Sequence, residues 1–215
     1  MHSASQNIFE AIFRAAGIEP GEDSAELSPP VDVDLDAFVD LTTPVVPPIH
    51  HGFPQLVDEA RTRICSVDAD EPGGHPLPDS ARLVQGGVMM QLARYPEPRP
   101  GRPDRLYVLE FQGHRRQYVM FGHTTNLSRR LAHHLLAANP HGFALLQGWV
   151  SPGLAKAQQL EQLVVEVAGW CHGPNHFHER FYDMPFEKGL SIGRASFELH
   201  TNWRGLAGTP ASIRL

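Results

Sequence analysis

The chain has 215 residues, 41% of them hydrophobic, and a formal net charge of −6 at pH 7. This length accommodates one domain with a substantial extension, and the apolar content suffices for a core, which excludes wholesale disorder. Two cysteines exclude a disulfide framework, so we expect a cytoplasmic protein. The N-terminus lacks the features of a signal peptide, and no stretch reaches the roughly 18 apolar residues of a membrane span, so we expect no membrane partner.

The charge is distributed unevenly along the chain. Residues 1–80 contain 15 Asp and Glu against 3 Lys and Arg, a balance of −12, whereas the remainder contains 9 against 15, a balance of +6. A cationic segment favours a polyanionic partner, because phosphate groups provide most of the non-specific affinity for nucleic acid. The acidic segment is either a solvated extension or an intramolecular competitor that masks the cationic surface.

Residues 1–95 have the pattern of an acidic, proline-rich extension with short helices. The helices predicted in it lie near residues 5–16, 55–63 and 79–94. The run YPEPRPGRP at 95–103 marks the expected boundary, so the second predicted domain is residues 104–215.

The second domain has a clearer pattern. Its predicted strands are RLYVLEF (105–111), QYVMFG (117–122) and FALLQGWV (143–150), and its predicted helices cover 127–138 and about 154–169. A polar turn of hairpin length joins the first two strands. We therefore predict an α+β fold, with a small, mainly antiparallel three-stranded sheet flanked by helices.

The helix predicted over residues 127–138 carries candidate functional side chains. Its apolar arc consists of Leu127, Leu131, Leu135 and Ala138. Arg130 and His134, four residues apart, lie along the border of that arc. This position either brings a cation and an imidazole into a cleft or forms an ordinary polar flank.

Glu161 is the unusual residue of the helix predicted over 154–169. It falls inside the apolar arc, whereas Glu166 points to the polar side. A carboxylate on a core face needs a partner, because desolvating an unpaired charge is costly. The partner is either a buried arginine or a metal ion opposite Arg130 and His134, since Mg²⁺ is often held by one carboxylate with waters and substrate phosphates. Zinc is a weaker alternative elsewhere, because Cys171, His172, His176 and His178 match no standard structural spacing.

Together these motifs resemble the GIY-YIG nuclease superfamily over residues 105 to about 185. Leu106-Tyr107 corresponds to the Ile-Tyr of the first motif, and FGHTTNL at 121–127 corresponds to the second motif of the branch with K-I-G-x-T-x-N. Arg129-Arg130-Leu131 begins the following helix, and QLEQLV places Glu161 on the family's metal-binding glutamate.

The resemblance implies a divalent-metal-dependent endonuclease that hydrolyses phosphodiester bonds in DNA. Tyr107 would help to activate the attacking water, Arg130 would bind the phosphate, His134 would assist, and Glu161 would hold Mg²⁺ or Mn²⁺. This division of roles is chemically coherent, because a metal ion polarises the phosphoryl oxygen while cations neutralise developing charge.

Two positions depart from the family pattern. Arg105 stands where the first motif has glycine, and Met120 stands where the second motif has tyrosine. Tyr118 is two residues earlier on the same strand face, about 6.6 Å away by strand rise. Its hydroxyl either substitutes for the missing one or belongs to a packed side chain.

We expect nucleic-acid contacts from a further set of polar residues, namely Arg115, Arg116, Thr124, Asn126 and Arg129. The alternative to an endonuclease is a catalytically inactive nucleic-acid-binding or regulatory module on the same fold. A third possibility is an enzyme of different chemistry, because fold resemblance alone does not fix the reaction.

Overall fold

A computed structural model describes residues 49–50, 54–66, 76–93, 101, 103–155, 157–173 and 176–207. In these residues an antiparallel sheet has the strand order β1-β4-β2-β3-β6-β5. The strands are β1 (Ile49–His50), β2 (Arg105–Gln112), β3 (Gln117–Thr124), β4 (Ala144–Val150), β5 (His176–Phe177) and β6 (Arg180–Tyr182). The helices are α1 (Pro54–Cys65), α2 (Asp79–Ala93), α3 (Leu127–Ala138), α4 (Ala157–His172) and α5 (Phe186–Ala207).

The prediction of a mixed helix and strand fold with an antiparallel sheet is confirmed, but the prediction of three strands is wrong. The three predicted strands are β2, β3 and β4, and the described residues add β1, β5 and β6. The added strands contain two, two and three residues, which is too short for an alternating apolar pattern to be recognised.

Helices cover both faces of the sheet. Side chains alternate between the two faces along each strand, and β2 is buried along its whole length, so each face carries a core. Leu106 and Val108 of β2 belong to a core that also contains apolar residues of α4 and α5. Tyr107 and Leu109 belong to a second core with apolar residues of α1, α2 and α3. No helix in the described part of the chain is long and apolar enough to cross a membrane.

The helices α1 and α2 lie within the predicted extension, yet they pack against the sheet. Val57 and Ile64 of α1 and Val84 and Val88 of α2 are buried in the same core as Tyr107. Arg61 of α1 also pairs with Glu110 of β2, with 2.9 Å between Nη2 and Oε1. The boundary at 95–103 and the acidic extension stay predictions, and the helix predicted over 5–16 lies outside the described residues.

Candidate active site

The candidate site lies where β3 becomes an edge of the sheet. β6 pairs with β3 at Tyr118, Val119 and Met120, and the pairing ends there. Gly122 to Thr124 therefore continue past the end of β6, and α3 and α4 approach this edge from opposite faces. We call this region the edge site and define it by Tyr107, Gly122, His123, Arg130, His134, Glu161, Glu179 and Arg180.

Tyr107 crosses Gly122 to reach the edge. The two residues are directly opposite in the antiparallel pairing of β2 with β3. A Cβ atom placed on Gly122 would overlap the Tyr107 hydroxyl and its ring carbon Cζ. Glycine is required here because the phenol occupies the space that any other side chain would fill.

A hydrogen bond joins the Tyr107 hydroxyl to Nε2 of His134 at 2.8 Å. Tyr107 is 1% exposed, and burial raises the pKa of its hydroxyl well above the usual range. The pKa of His134 is lowered to about 4, chiefly by burial and next by the nearby charge of Arg130. At neutral pH both groups are uncharged, so the hydroxyl can donate to Nε2 of the neutral imidazole.

The helix α3 positions His134 and Arg130. Asn126 caps the helix, because its side chain accepts a hydrogen bond from the backbone N–H of Arg129 at 3.0 Å. His134 is 7% exposed, so it is more buried than the helix pattern predicted, while Arg130 is exposed. The side chain of Thr124 also bonds within this turn, to the backbone of Asn126. The nucleic-acid contacts of Thr124, Asn126 and Arg129 stay predictions.

Glu161 reaches the edge from α4 and meets a histidine instead of the arginine considered above. Nε2 of His123 lies 3.3 Å from Oε2 of Glu161, and Nδ1 of His123 lies 3.6 Å from Oδ1 of Asp104. The Glu161 side chain is 12% exposed. The pKa of Glu161 is raised to about 7: burial is the largest cause, the charges of Glu179 and Asp104 add to it, and those of His123 and Arg130 oppose it. Asp104 in turn accepts a hydrogen bond from the first backbone N–H of α4, which fixes the helix end beside the site.

The residues that meet at the edge act on one another electrostatically. The charges of Arg130, Glu179 and Glu161 all affect the pKa of the Tyr107 hydroxyl. The charges of Glu179 and Arg130 likewise affect the pKa of Glu161. The phenol, the guanidinium and the carboxylates therefore lie within electrostatic range of each other, although they come from β2, α3, α4 and the turn before β6.

Sequence reasoning missed His123, Glu179 and Arg180. The carbonyl of Glu179 accepts a hydrogen bond from the N–H of Phe121, which ties the turn before β6 to the edge of β3. Arg180 pairs with Met120 across the strands. His123 lies inside the second motif, so its place beside Thr124 was the available signal. Glu179 directly precedes β6 and Arg180 begins it, and a strand of three residues has no readable pattern.

Arg115 and Arg116, two of the predicted residues, lie away from the edge site, and Tyr118 borders it through the Arg180 guanidinium, 5.5 Å from its ring centre. Arg115 and Arg116 belong to the turn at the other end of β2, five strand residues or about 17 Å from Tyr107. Arg116 pairs with Asp183 at 3.2 Å and covers the Tyr182 ring at 4.0 Å. Tyr118 packs in an aromatic cluster, with ring centroids 5.0 Å from Phe111 and 5.1 Å from Phe143.

Arg105 occupies the position at which the first motif has glycine. It is 6% exposed, and its Nη1 donates a hydrogen bond to the carbonyl of Ser151 at 3.2 Å. It is opposite Thr124 in the pairing of β2 with β3. The large side chain is therefore accommodated between β2 and the end of β4.

The donor set at the edge fits a hard divalent cation that keeps most of its own waters. No group of three His, Cys, Asp or Glu side chains converges as metal ligands among the described residues. Glu161 offers one carboxylate whose charged form is disfavoured chiefly by burial and also by Glu179 and Asp104, against the opposing charges of His123 and Arg130, and a bound Mg²⁺ or Mn²⁺ would favour that charged form. His172, one of the four residues of the zinc alternative, has another partner: its Nε2 lies 2.6 Å from the carbonyl oxygen of Tyr182.

A scan against protein-family models, a search of curated proteins and a search of solved structures each found no match to this chain.

Proposed function

We propose that this protein is a divalent-metal-dependent endonuclease that hydrolyses phosphodiester bonds in DNA. The observation that carries the proposal is the hydrogen bond between Tyr107 and His134 within electrostatic range of Arg130 and Glu161. A hydroxyl, a base, a cation and a carboxylate are the groups that phosphodiester hydrolysis requires, and three separate elements supply them.

Tyr107 acts as a neutral hydroxyl relay. Its raised pKa disfavours a standing phenolate, so it cannot act as a preformed base near neutral pH. It can accept a proton from the attacking water while its own proton passes to Nε2 of His134. The phosphate of a bound substrate offsets the charge of Arg130, which makes the imidazole a stronger base when DNA is present.

Arg130 would bind the scissile phosphate; its guanidinium is exposed and close enough to Tyr107 and His134 for its charge to shift the pKa of both. Glu161 would hold the metal ion with waters and a phosphate oxygen, and His123 would orient the carboxylate. When bound, Mg²⁺ or Mn²⁺ supplies polarisation of the phosphoryl group and neutralises negative charge in the transition state.

The proposal is tested by cleavage of a supercoiled plasmid in the presence of Mg²⁺ or Mn²⁺. We expect cleavage by the wild type, loss of cleavage in Glu161→Ala and retention in the control Glu166→Ala, whose side chain is exposed on the same helix. No cleavage by the wild type, with salt-sensitive DNA binding retained, would instead favour the inactive nucleic-acid-binding module. Met120 would then mark the loss of chemistry.

We also propose that the acidic N-terminal segment masks the DNA-binding surface. Residues 1–48 contain 9 acidic and 1 basic residue, so they can compete with phosphates for the same cations. The deletion should stop at residue 48, because α1 and α2 contribute to the core. Tighter DNA binding by the truncated protein is expected, and unchanged affinity would reduce the segment to a solvated appendage.

A further inference from the structure

Arg180 lies beside the position at which the motif's tyrosine is missing. It is directly opposite Met120 in the antiparallel pairing of β3 with β6. Opposite residues project to the same face of a sheet, and Met120 shares its face with Gly122, over which Tyr107 lies. The side chain of Arg180 therefore starts on the Tyr107 face, two residues along β3 from the glycine.

The charge of Arg180 is not neutralised by a carboxylate within the described residues. The guanidinium lies 5.5 Å from the centre of the Tyr118 ring and forms no ion pair with Asp or Glu in that part of the chain. The residue is half-buried. A partly desolvated cation without a counter-charge is costly, so its position favours an anionic ligand.

The electrostatic reach of Arg180 agrees with this geometry. Its charge lowers the pKa of His134, as that of Arg130 does, although the two arginines come from different elements. The imidazole therefore has a cation on its own helix and another on β6. A phosphate group bound at the edge site would meet both.

We propose that Arg180 is a second phosphate-binding residue of the edge site, which contacts the DNA backbone from β6 beside Met120. The inference rests on the proposed function, since it takes the substrate to be a phosphodiester chain. Arg180 then supplies charge at a point where the family pattern supplies a hydroxyl. The competing explanation is that Arg180 only packs against Tyr118.

The test compares Arg180→Gln and Arg180→Lys with the control Arg82→Gln, which removes an exposed charge from α2. Binding of a short DNA duplex by the full chain is measured in EDTA over a range of salt concentrations. We expect Arg180→Gln to weaken binding about tenfold. The slope of log K against log salt should fall by about one in this variant. Arg180→Lys should keep the wild-type slope, and Arg82→Gln should keep both the wild-type affinity for DNA and the wild-type slope.

A second readout separates this inference from the proposed function. Titration of the His134 ring by NMR should give a higher pKa in Arg180→Gln than in the wild type, whether or not the protein cleaves DNA. Unchanged slope and affinity in Arg180→Gln would overturn the phosphate contact even if the wild type is an active nuclease. If the wild type binds DNA without cleaving it, a lower slope and weaker binding in Arg180→Gln would still support the phosphate contact of Arg180, while the nuclease proposal fails.

Discussion

The Tyr107 hydroxyl lies 2.8 Å from Nε2 of His134, and both side chains are more than 90% buried. The phenol and the imidazole come from a strand and a helix that are 27 residues apart in sequence. Each group is held in its uncharged form by burial, so the pair can move a proton without carrying a permanent charge. This arrangement is the centre of the proposed chemistry.

We predict that His134 remains neutral down to about pH 4. The measurement is an NMR titration of the ring nitrogens in the wild type. Because the folded pKa lies below the ordinary value of about 6.5, His134 contributes stability that is present above pH 6.5 and is lost as the pH falls toward 4. The linkage amounts to about 3 kcal/mol at most. A titration midpoint near 6.5 would mean that the imidazole is solvated and not bonded to Tyr107.

Substitution of Gly122 by alanine should displace Tyr107. The new Cβ overlaps the phenol oxygen, so the hydroxyl must leave His134. We expect a stability loss of about 1–3 kcal/mol, with loss of cleavage. The matched control is Gly86→Ala in α2, where nothing lies within 4 Å of the added carbon. That change should stabilise the protein by about 0.5–1 kcal/mol and leave cleavage intact. Equal effects from the two alanines would contradict the close approach of Tyr107 to Gly122.

Substitution of Glu161 by glutamine should stabilise the protein at alkaline pH. The folded pKa of Glu161 is raised from 4.5 to about 7, so its contribution is fully present below pH 4.5 and is lost as the pH rises through 7. At pH 8 the wild type holds a desolvated charge that glutamine removes, a gain of about 3 kcal/mol at most. Thermal unfolding at pH 5 and pH 8 measures the difference, which should nearly vanish at pH 5.

The same experiment tests the metal. Mg²⁺ should raise the melting temperature of the wild type but not of Glu161→Gln, because a ligand that binds only the folded state stabilises it. The control Glu166→Gln, with an exposed side chain on α4, should respond to Mg²⁺ like the wild type. In the comparison of pH 5 with pH 8, a Glu161→Gln variant that is less stable than the wild type at both pH values would show that the Glu161 carboxylate is well solvated or fully paired.

Loss of the Arg61 side chain should weaken the attachment of α1 to the sheet. Its Nη2 lies 2.9 Å from Oε1 of Glu110, a residue that is 1% exposed and also accepts a hydrogen bond from Gln147 at 2.6 Å. Arg61→Ala leaves a buried carboxylate without its cation, which should cost about 2 kcal/mol in chemical denaturation. The control Arg63→Ala removes a largely exposed contact with Glu59 and should cost less than about 0.5 kcal/mol. Equally small losses of stability in Arg61→Ala and Arg63→Ala would indicate that α1 is only loosely associated with the sheet.

The sequence predicted β2, β3, β4, α3 and α4 because each has a long, regular apolar pattern. The helix α5 was not predicted, and its glycines explain why. They lower the helix propensity of the segment, yet Cβ atoms at Gly189 and Gly193 would lie 2.7 Å from Val119 and Val108. The glycines allow α5 to approach the sheet closely, which is a property of packing and not of local pattern.

The candidate site was predictable as far as single motifs reach. The helix pattern placed Arg130 and His134 together, and it placed Glu161 on a core face. It could not show that Asp104 caps a helix 53 residues later, or that His123 lies between Asp104 and Glu161. These contacts depend on how the elements pack around the edge of β3, so sequence spacing carries no information about them.

The most direct measurement is the single-turnover rate of Mg²⁺-dependent DNA cleavage by Tyr107→Phe, compared with the wild type and with Tyr118→Phe. Both substitutions delete one buried hydroxyl, but only that of Tyr107 bonds to His134. We expect Tyr107→Phe to lose about 100-fold or more in rate while it still folds and binds DNA. Tyr118→Phe should stay within a few-fold of the wild type, because its ring packs in an aromatic cluster. Cleavage by Tyr107→Phe at the wild-type rate would contradict the account.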